Sequence, residues 1–316
     1  MWADLLFILL GLILLFFGAE FLVRGAIALA LRMGISPLIV GLTVLAFCTS
    51  SPELVVGLRA AYAENGGIVI GNVLGSNIAN TGLILGLAAL IYPLQVHRQI
   101  IRREIPVMLT LTLLAVFFIS SGVIGRLEGM VLFIGLLAYV VYSVISARES
   151  GESAPVEEVE AIAPKSTRHW VWDIALLAFG LGILTGGAEL MVKGAVNVAT
   201  MLGASEALVG LTIVAIGTSL PELATSLVAA CRKEGDLMVG NLIGSNIFNI
   251  GAILGAVSLV YPVTNEGISR LDMLLFVVFS MALLPIMKTG YQVSRIEGAA
   301  LLTAYFSYLI YLVLQV

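Results

Sequence analysis

Apolar residues fill this chain in blocks of about 18 or more, far longer than a buried strand requires, from one end to the other. The blocks predict ten helices, at about 3–29, 37–63, 67–91, 105–121 and 129–147, then about 173–199, 206–231, 237–260, 271–288 and 297–314. The short alternating segments of a membrane β-barrel are absent. Between the fifth and sixth blocks lies RESGESAPVEEVEAIAPKSTRH, which is acidic, contains proline and lacks apolar periodicity. Such a composition cannot bury a core and predicts a solvated tether. The expected organisation is therefore a first five-helix repeat at 1–147, a linker at 148–169 and a second repeat at 170–316.

The two halves repeat each other. From Gly18 to Pro93, adding 169 to a residue number reaches its partner without a gap, as in Glu20 and Glu189, Glu53 and Glu222, or Asn80 and Asn249. About half of the paired positions are identical. An odd number of helices per repeat forces the halves to cross the bilayer in opposite senses, a plan common among secondary transporters. The expected fold class is thus an all-α polytopic membrane protein with ten transmembrane helices in two inverted five-helix repeats.

Composition and charge sharpen this picture. The 316 residues are 60% hydrophobic and 11% charged, against about a quarter charged in soluble domains. With the N-terminus outside, cytoplasmic segments carry Arg32, Arg98, Arg102, Arg103, Arg148, Lys165, Arg168, Arg232, Lys233, Lys288 and Arg295. The opposite side carries Arg59, Arg126 and Arg270. This bias predicts that both termini lie outside. Cys48 and Cys231, both in apolar surroundings, imply no disulfide framework.

Two polar islands interrupt the apolar runs, once in each repeat. The first is VGLTVLAFCTSSPEL from Val40, followed by GNVLGSNIANTGLILG ending at Gly86; the second is VGLTIVAIGTSLPEL from Val209, followed by GNLIGSNIFNIGAILG ending at Gly255. A carboxylate at bilayer depth costs several kcal/mol unless something compensates it. Two at matched positions suggest acids that meet at one site. Pro52 and Pro221 donate no backbone hydrogen bond, so carbonyls open one turn earlier, near Cys48-Thr49 and Gly217-Thr218. A bound cation could satisfy them; a proline kink beside a protonated glutamate is the alternative. Ser76 and Asn80 share a helix face, as do Ser245 and Asn249. These side chains suit either an ion-lining role or hydrogen bonding between helices. The glycines at 71 and 75, and at 240 and 244, have the spacing of close helix packing.

The oxygen inventory narrows the ligand. The carboxylates of Glu53 and Glu222, the hydroxyls of Thr49, Ser50, Thr218 and Ser219, the amides of Asn80 and Asn249 and the freed carbonyls are all hard donors. Ca²⁺ or Na⁺ suits such a set. His97 and His169 fall in loops, which speaks against a transition-metal site. Glu20 with Arg24, and Glu189 with Lys193, have the spacing of helix-surface ion pairs near helix ends.

At these residues the chain resembles the cation/calcium antiporter superfamily, whose two repeats carry G-T-S-x-P-E and G-S-N-x-x-N/D motifs, and in particular prokaryotic sodium/calcium exchangers. The resemblance spans nearly the whole chain. It implies that Glu53 and Glu222 bind Ca²⁺ directly. It also implies ligands from Ala46, Thr49, Ser50, Ser76, Ala215, Thr218, Ser219 and Ser245, with Asn80 and Asn249 completing the ring. Cys48 replaces a motif glycine, Asn249 stands where some relatives have Asp, and the linker is too short for the sensing domains of animal relatives.

The expected function is exchange of Na⁺ for Ca²⁺ by alternating access, electrogenic, in a prokaryotic plasma membrane. Coupling to H⁺ remains open on the residues alone, because protons compete for buried glutamates. A channel is disfavoured by the lack of a pore loop, and an enzyme by the lack of an embedded zinc motif or Ser-His pair. No cofactor and no nucleic-acid partner are expected, and a monomer suffices.

Overall fold

A computed structural model describes residues 2–149, 170–202 and 215–314. Its helices are α1 (Trp2–Met33), α2 (Pro37–Thr49), α3 (Ser51–Tyr62), α4 (Gly66–Ile91), α5 (Ile100–Ser120) and α6 (Arg126–Glu149), then α7 (Trp170–Met201), α8 (Ala215–Thr218), α9 (Leu220–Cys231), α10 (Gly235–Val260), α11 (Arg270–Lys288) and α12 (Arg295–Leu314). Eight are long and apolar enough to span a membrane, and α2 with α3 makes a ninth span, bent by 42°. The remaining expected span, at 206–231, is described only from Ala215 onward; residues 150–169 of the expected linker also lie outside the described residues. Among the described residues the secondary structure is all helical apart from four two-residue strands that periodicity did not anticipate.

Those strands make the inversion visible. Strand β1 (Leu94–Gln95) pairs with β4 (Gln292–Val293), and β2 (Val123–Ile124) pairs with β3 (Val263–Thr264), both antiparallel. β1 and β2 flank α5, so the two ribbons cap opposite ends of the molecule. β1 and β3 are repeat equivalents, yet each sits at a different end. The residue offset of 169 therefore persists past Pro93, through both ribbons and on to Arg126 and Arg295 at the starts of α6 and α12. Even the left-handed residues that close α3 and α9, Glu64 (φ 58°) and Lys233 (φ 62°), are equivalents.

Burial separates centre from periphery. An 18-residue stretch of α4 or α10 is 78% buried, against 22–39% in the other unbroken spans. The motif helices thus form the core, and the others turn their apolar faces outward, as helices in lipid do. Glycine makes the cross-repeat contact close. A Cβ on Gly240 or Gly244 would lie 2.5 or 2.6 Å from the carbonyl oxygen of Leu38 or Leu42, so α10 rests directly on the α2 backbone. The matching positions for Gly71 and Gly75, 207 and 211, lie outside the described residues.

α1 and α7 have 32 residues each, about 48 Å of helix, so they must cross a hydrocarbon layer of about 30 Å at a tilt. They run antiparallel along a glycine seam, in which a Cβ on Gly18 would stand 2.6 Å from Leu184 N and one on Gly180 2.8 Å from Leu22 N. Polar bonds hold both ends of the seam: Arg32 Nε to Asp173 Oδ2 at 2.7 Å, and Asn197 Nδ2 to Asp4 Oδ1 at 2.8 Å.

Gln95 and Glu266 are exposed beside opposite ribbons. With Cys48 and Cys231 replaced, single cysteines at these positions should react with an impermeant maleimide from opposite sides of the membrane. Labelling of both from one side would contradict the inversion.

Candidate ion-binding site

The two helix breaks build the site. Pro52 and Pro221 occupy the first turns of α3 and α9, and the residues before those helices leave helical geometry at equivalent points. Ser50 has φ −84°, ψ 1° and Ser219 has φ −88°, ψ 5°, the sparsely populated bridge region. Each break places a glutamate in the first turn of the new helix, where the exposed N–H dipoles favour negative charge. Glu53 is 0% exposed and Glu222 2%. Their carboxyl groups lie close enough for their charges to interact.

What surrounds these acids is short of donors. Ser50 Oγ donates to Glu222 Oε1 at 3.1 Å, but Glu222 Oε2 and both carboxyl oxygens of Glu53 have no hydrogen-bond partner. A buried acceptor without a partner costs free energy, and more so when charged. Two further orphans come from the core helices: Asn80 Oδ1 and Asn249 Oδ1 are buried and unpaired. Both asparagines open segments of wider π-helical turn, Asn80–Ile84 in α4 and Asn249–Leu254 in α10, a feature frequent at functional sites. The first of these segments packs on α9, which carries Glu222, and the second on α3, which carries Glu53.

The hydroxyls form a second ring. Thr49 Oγ1 lies 3.3 Å from both Ser245 Oγ and Asn241 Oδ1. Ser219 Oγ lies 3.4 Å from Ser76 Oγ. Each of these hydroxyl pairs joins one repeat to the other. Thr218 closes α8 one residue before Ser219. The carbonyl of Ala46 accepts from Ser50 N at 3.0 Å, with the Thr49 hydroxyl 3.4 Å away. Ser219 N turns instead to Ile216 O, three residues back, at 3.1 Å. Ala215 opens α8.

Sequence reading overlooked the asparagines beside the ring. Asn80 Nδ2 donates to Asn246 Oδ1 at 3.0 Å, and Asn249 Nδ2 to Asn77 Oδ1 at 2.9 Å. Asn77 and Asn246 stand in the quoted motifs, one residue past each serine, but about 100° around the helix from the face singled out. Glu20 also departs from the expected picture. α1 extends to Met33, which leaves Glu20 far from either helix end, and besides Arg24 it is gripped by two nitrogens of Arg232. Lys193 lies over the Phe7 ring, 5.8 Å from its centre, rather than against Glu189. Among the described residues, no group of three or more His, Cys, Asp or Glu side chains converges; the polar side chains around the two glutamates are those of Ser, Thr and Asn.

Comparison with known proteins agrees with this architecture. The family model described as sodium/calcium exchanger protein matches residues 4–145 and 172–314, one half of the chain after the other. The sodium/calcium exchanger MaX1 of Methanosarcina acetivorans is 32% identical, over 98% of each chain. The inner membrane protein YrbG of Escherichia coli is 37% identical over 81% of this chain and 79% of its own. A solved structure of the sodium-calcium exchanger NCX_Mj superimposes with a TM-score of 0.83 at 35% identity, covering 96% of this chain and 97% of that one; the same protein was also studied after soaks in Na⁺ with Ca²⁺ or Sr²⁺. With its two matched halves and their cross-joined polar centre, this chain belongs to the sodium/calcium exchanger protein family of membrane cation exchangers.

Proposed function

We propose that the protein exchanges Na⁺ for Ca²⁺ across a prokaryotic plasma membrane, with its N- and C-termini outside. The observation that carries this reading is the set of five buried, unpartnered oxygens, from Glu53, Glu222, Asn80 and Asn249. Acceptors crowded together without donors suit a dehydrated cation, and a divalent ion matches two carboxylates in charge. Glu53 and Glu222 are the anionic ligands in this reading. Asn80 and Asn249 add neutral oxygens, and Thr49, Ser50, Ser76, Thr218, Ser219 and Ser245 surround them, with the carbonyls of Ala46 and Ala215 at the breaks. The lysine and arginine bias supports the orientation, and the name of the E. coli relative supports the membrane.

Charge counting gives the coupling. One Ca²⁺ neutralises the two carboxylates, and so would two Na⁺. The site offers more oxygens than two monovalent ions need, so a further Na⁺ binds without a matching carboxylate and the sodium-loaded protein carries excess positive charge. Moving one charge through a membrane potential is worth about 2.3 kcal/mol per 100 mV.

Three outcomes follow in proteoliposomes. Glu53→Gln or Glu222→Gln should lower ⁴⁵Ca²⁺ uptake about 100-fold or more, beyond the 10–100-fold typical of residues that only support a ligand; near-normal uptake in either variant would place the site elsewhere. An outward Na⁺ gradient should drive Ca²⁺ entry where a pH gradient alone does not, and the reverse would make H⁺ the coupling ion. In sodium-loaded vesicles, an inside-positive potential set with valinomycin should speed Ca²⁺ entry. A rate indifferent to potential would rule out the extra charge.

A further inference from the structure

Ser76, Asn80, Ser245 and Asn249 contribute oxygens to the reading above, but an asparagine side chain is ambiguous. One end of its amide accepts and the other donates, and only the accepting end can face a cation. Rotated by half a turn, each amide would present an NH₂ to the ion. Something must set the direction, and the core of the fold contains it.

The direction can be followed from groups that only accept. Asn77 Nδ2 donates to the backbone carbonyl of Asn246 at 3.3 Å, and a carbonyl has no proton to give in exchange. Asn77 Oδ1 is thereby turned away from that carbonyl, and it receives Asn249 Nδ2 at 2.9 Å. With its donor end so engaged, Asn249 leaves Oδ1 unpaired. A parallel chain starts at the Met108 thioether, another acceptor without a proton, which lies 3.7 Å from Asn246 Nδ2, with Thr81 Oγ1 at 3.5 Å from the same nitrogen. Asn246 Oδ1 then receives Asn80 Nδ2 at 3.0 Å, and Asn80 Oδ1 is left unpaired. All four asparagines are 97–100% buried, so water does not compete for these bonds. Each chain crosses from one repeat to the other.

We infer that Asn77 and Asn246 are positioning residues of the ion site: their side-chain oxygens hold the NH₂ ends of Asn249 and Asn80, which fixes both amides with oxygen toward the cation. This rests on the ion site proposed above. The arrangement also accounts for a site that carries amides rather than acids at 80 and 249. A carboxylate presents an acceptor whichever way it turns, whereas an amide has to be held. Outer partners of this kind are commonly worth 10–100-fold in metal affinity.

The test is Ca²⁺ binding to purified full-length protein in Na⁺-free detergent solution, read by calorimetry, with the thermal midpoint recorded for every variant. Asn77→Leu and Asn246→Leu should each weaken Ca²⁺ binding by about tenfold. Asn77→Asp keeps an acceptor for Asn249 Nδ2 and should bind within about threefold of the unaltered protein. A double-mutant cycle separates positioning from general damage to the core. In an Asn249→Asp background position 249 has no amide to misorient, so adding Asn77→Leu should cost about twofold or less; the pair Asn80→Asp with Asn246→Leu should behave alike. A penalty of equal size in both backgrounds, or Asn77→Asp as weak as Asn77→Leu, overturns the inference. Loss of Ca²⁺ binding in the unaltered protein would instead overturn the ion site itself. Wild-type affinity that falls with Glu53→Gln but not with Asn77→Leu would leave the site standing and remove the positioning role alone.

Discussion

Two buried glutamates, Glu53 and Glu222, bring their carboxyl groups close enough to interact, and most of their oxygens receive no hydrogen bond. At bilayer depth such a pair of carboxyl groups is costly unless something compensates its charge. In the function proposed here, a bound cation supplies that compensation. Arg24, Arg32 and Arg232 bind Glu20 or Asp173 rather than the central acids.

The glutamates reach the centre because the helices that carry them are broken. An intact helix would have spent its backbone groups internally; Pro52 and Pro221 prevent that and start new helices with Glu53 and Glu222 in their first turns. The core helices α4 and α10 then bring Asn80 and Asn249 on widened turns, and glycines let α10 close down on the α2 backbone. Because the repeats are inverted, their polar groups meet across the pseudo-symmetric centre. The hydroxyl pairs Thr49–Ser245 and Ser219–Ser76, like the amide pairs, all join one repeat to the other. Neither half could form the site alone.

Much of this was legible in the sequence. The length of the apolar runs located the described spans to within a few residues, since a bilayer sets that length. The repeat located the breaks, because proline acts on the backbone wherever it stands. Less local features were hidden. The ribbons between Leu94–Gln95 and Gln292–Val293, and between Val123–Ile124 and Val263–Thr264, depend on loops far apart in the chain. The wide turns at Asn80 and Asn249 leave no mark in a 3.6-residue period. The hold of Asn77 and Asn246 on the amides depends on packing between repeats, and the helix faces shared by Ser76 with Asn80 and by Ser245 with Asn249 do not include them. Glu20 read as a surface pair with Arg24 because Arg232, its second partner, lies more than two hundred residues away.

The central claim is that the unpartnered oxygens of both repeats hold one divalent ion between them. Anomalous diffraction from crystals soaked in Sr²⁺ without Na⁺ tests it directly. The account predicts a strong peak at coordination distance, about 2.3–2.6 Å for a calcium-like ion, from carboxylate oxygens of both Glu53 and Glu222. A peak confined to a surface loop, with Glu53 and Glu222 hydrogen-bonded to each other and no ion between them, would contradict it.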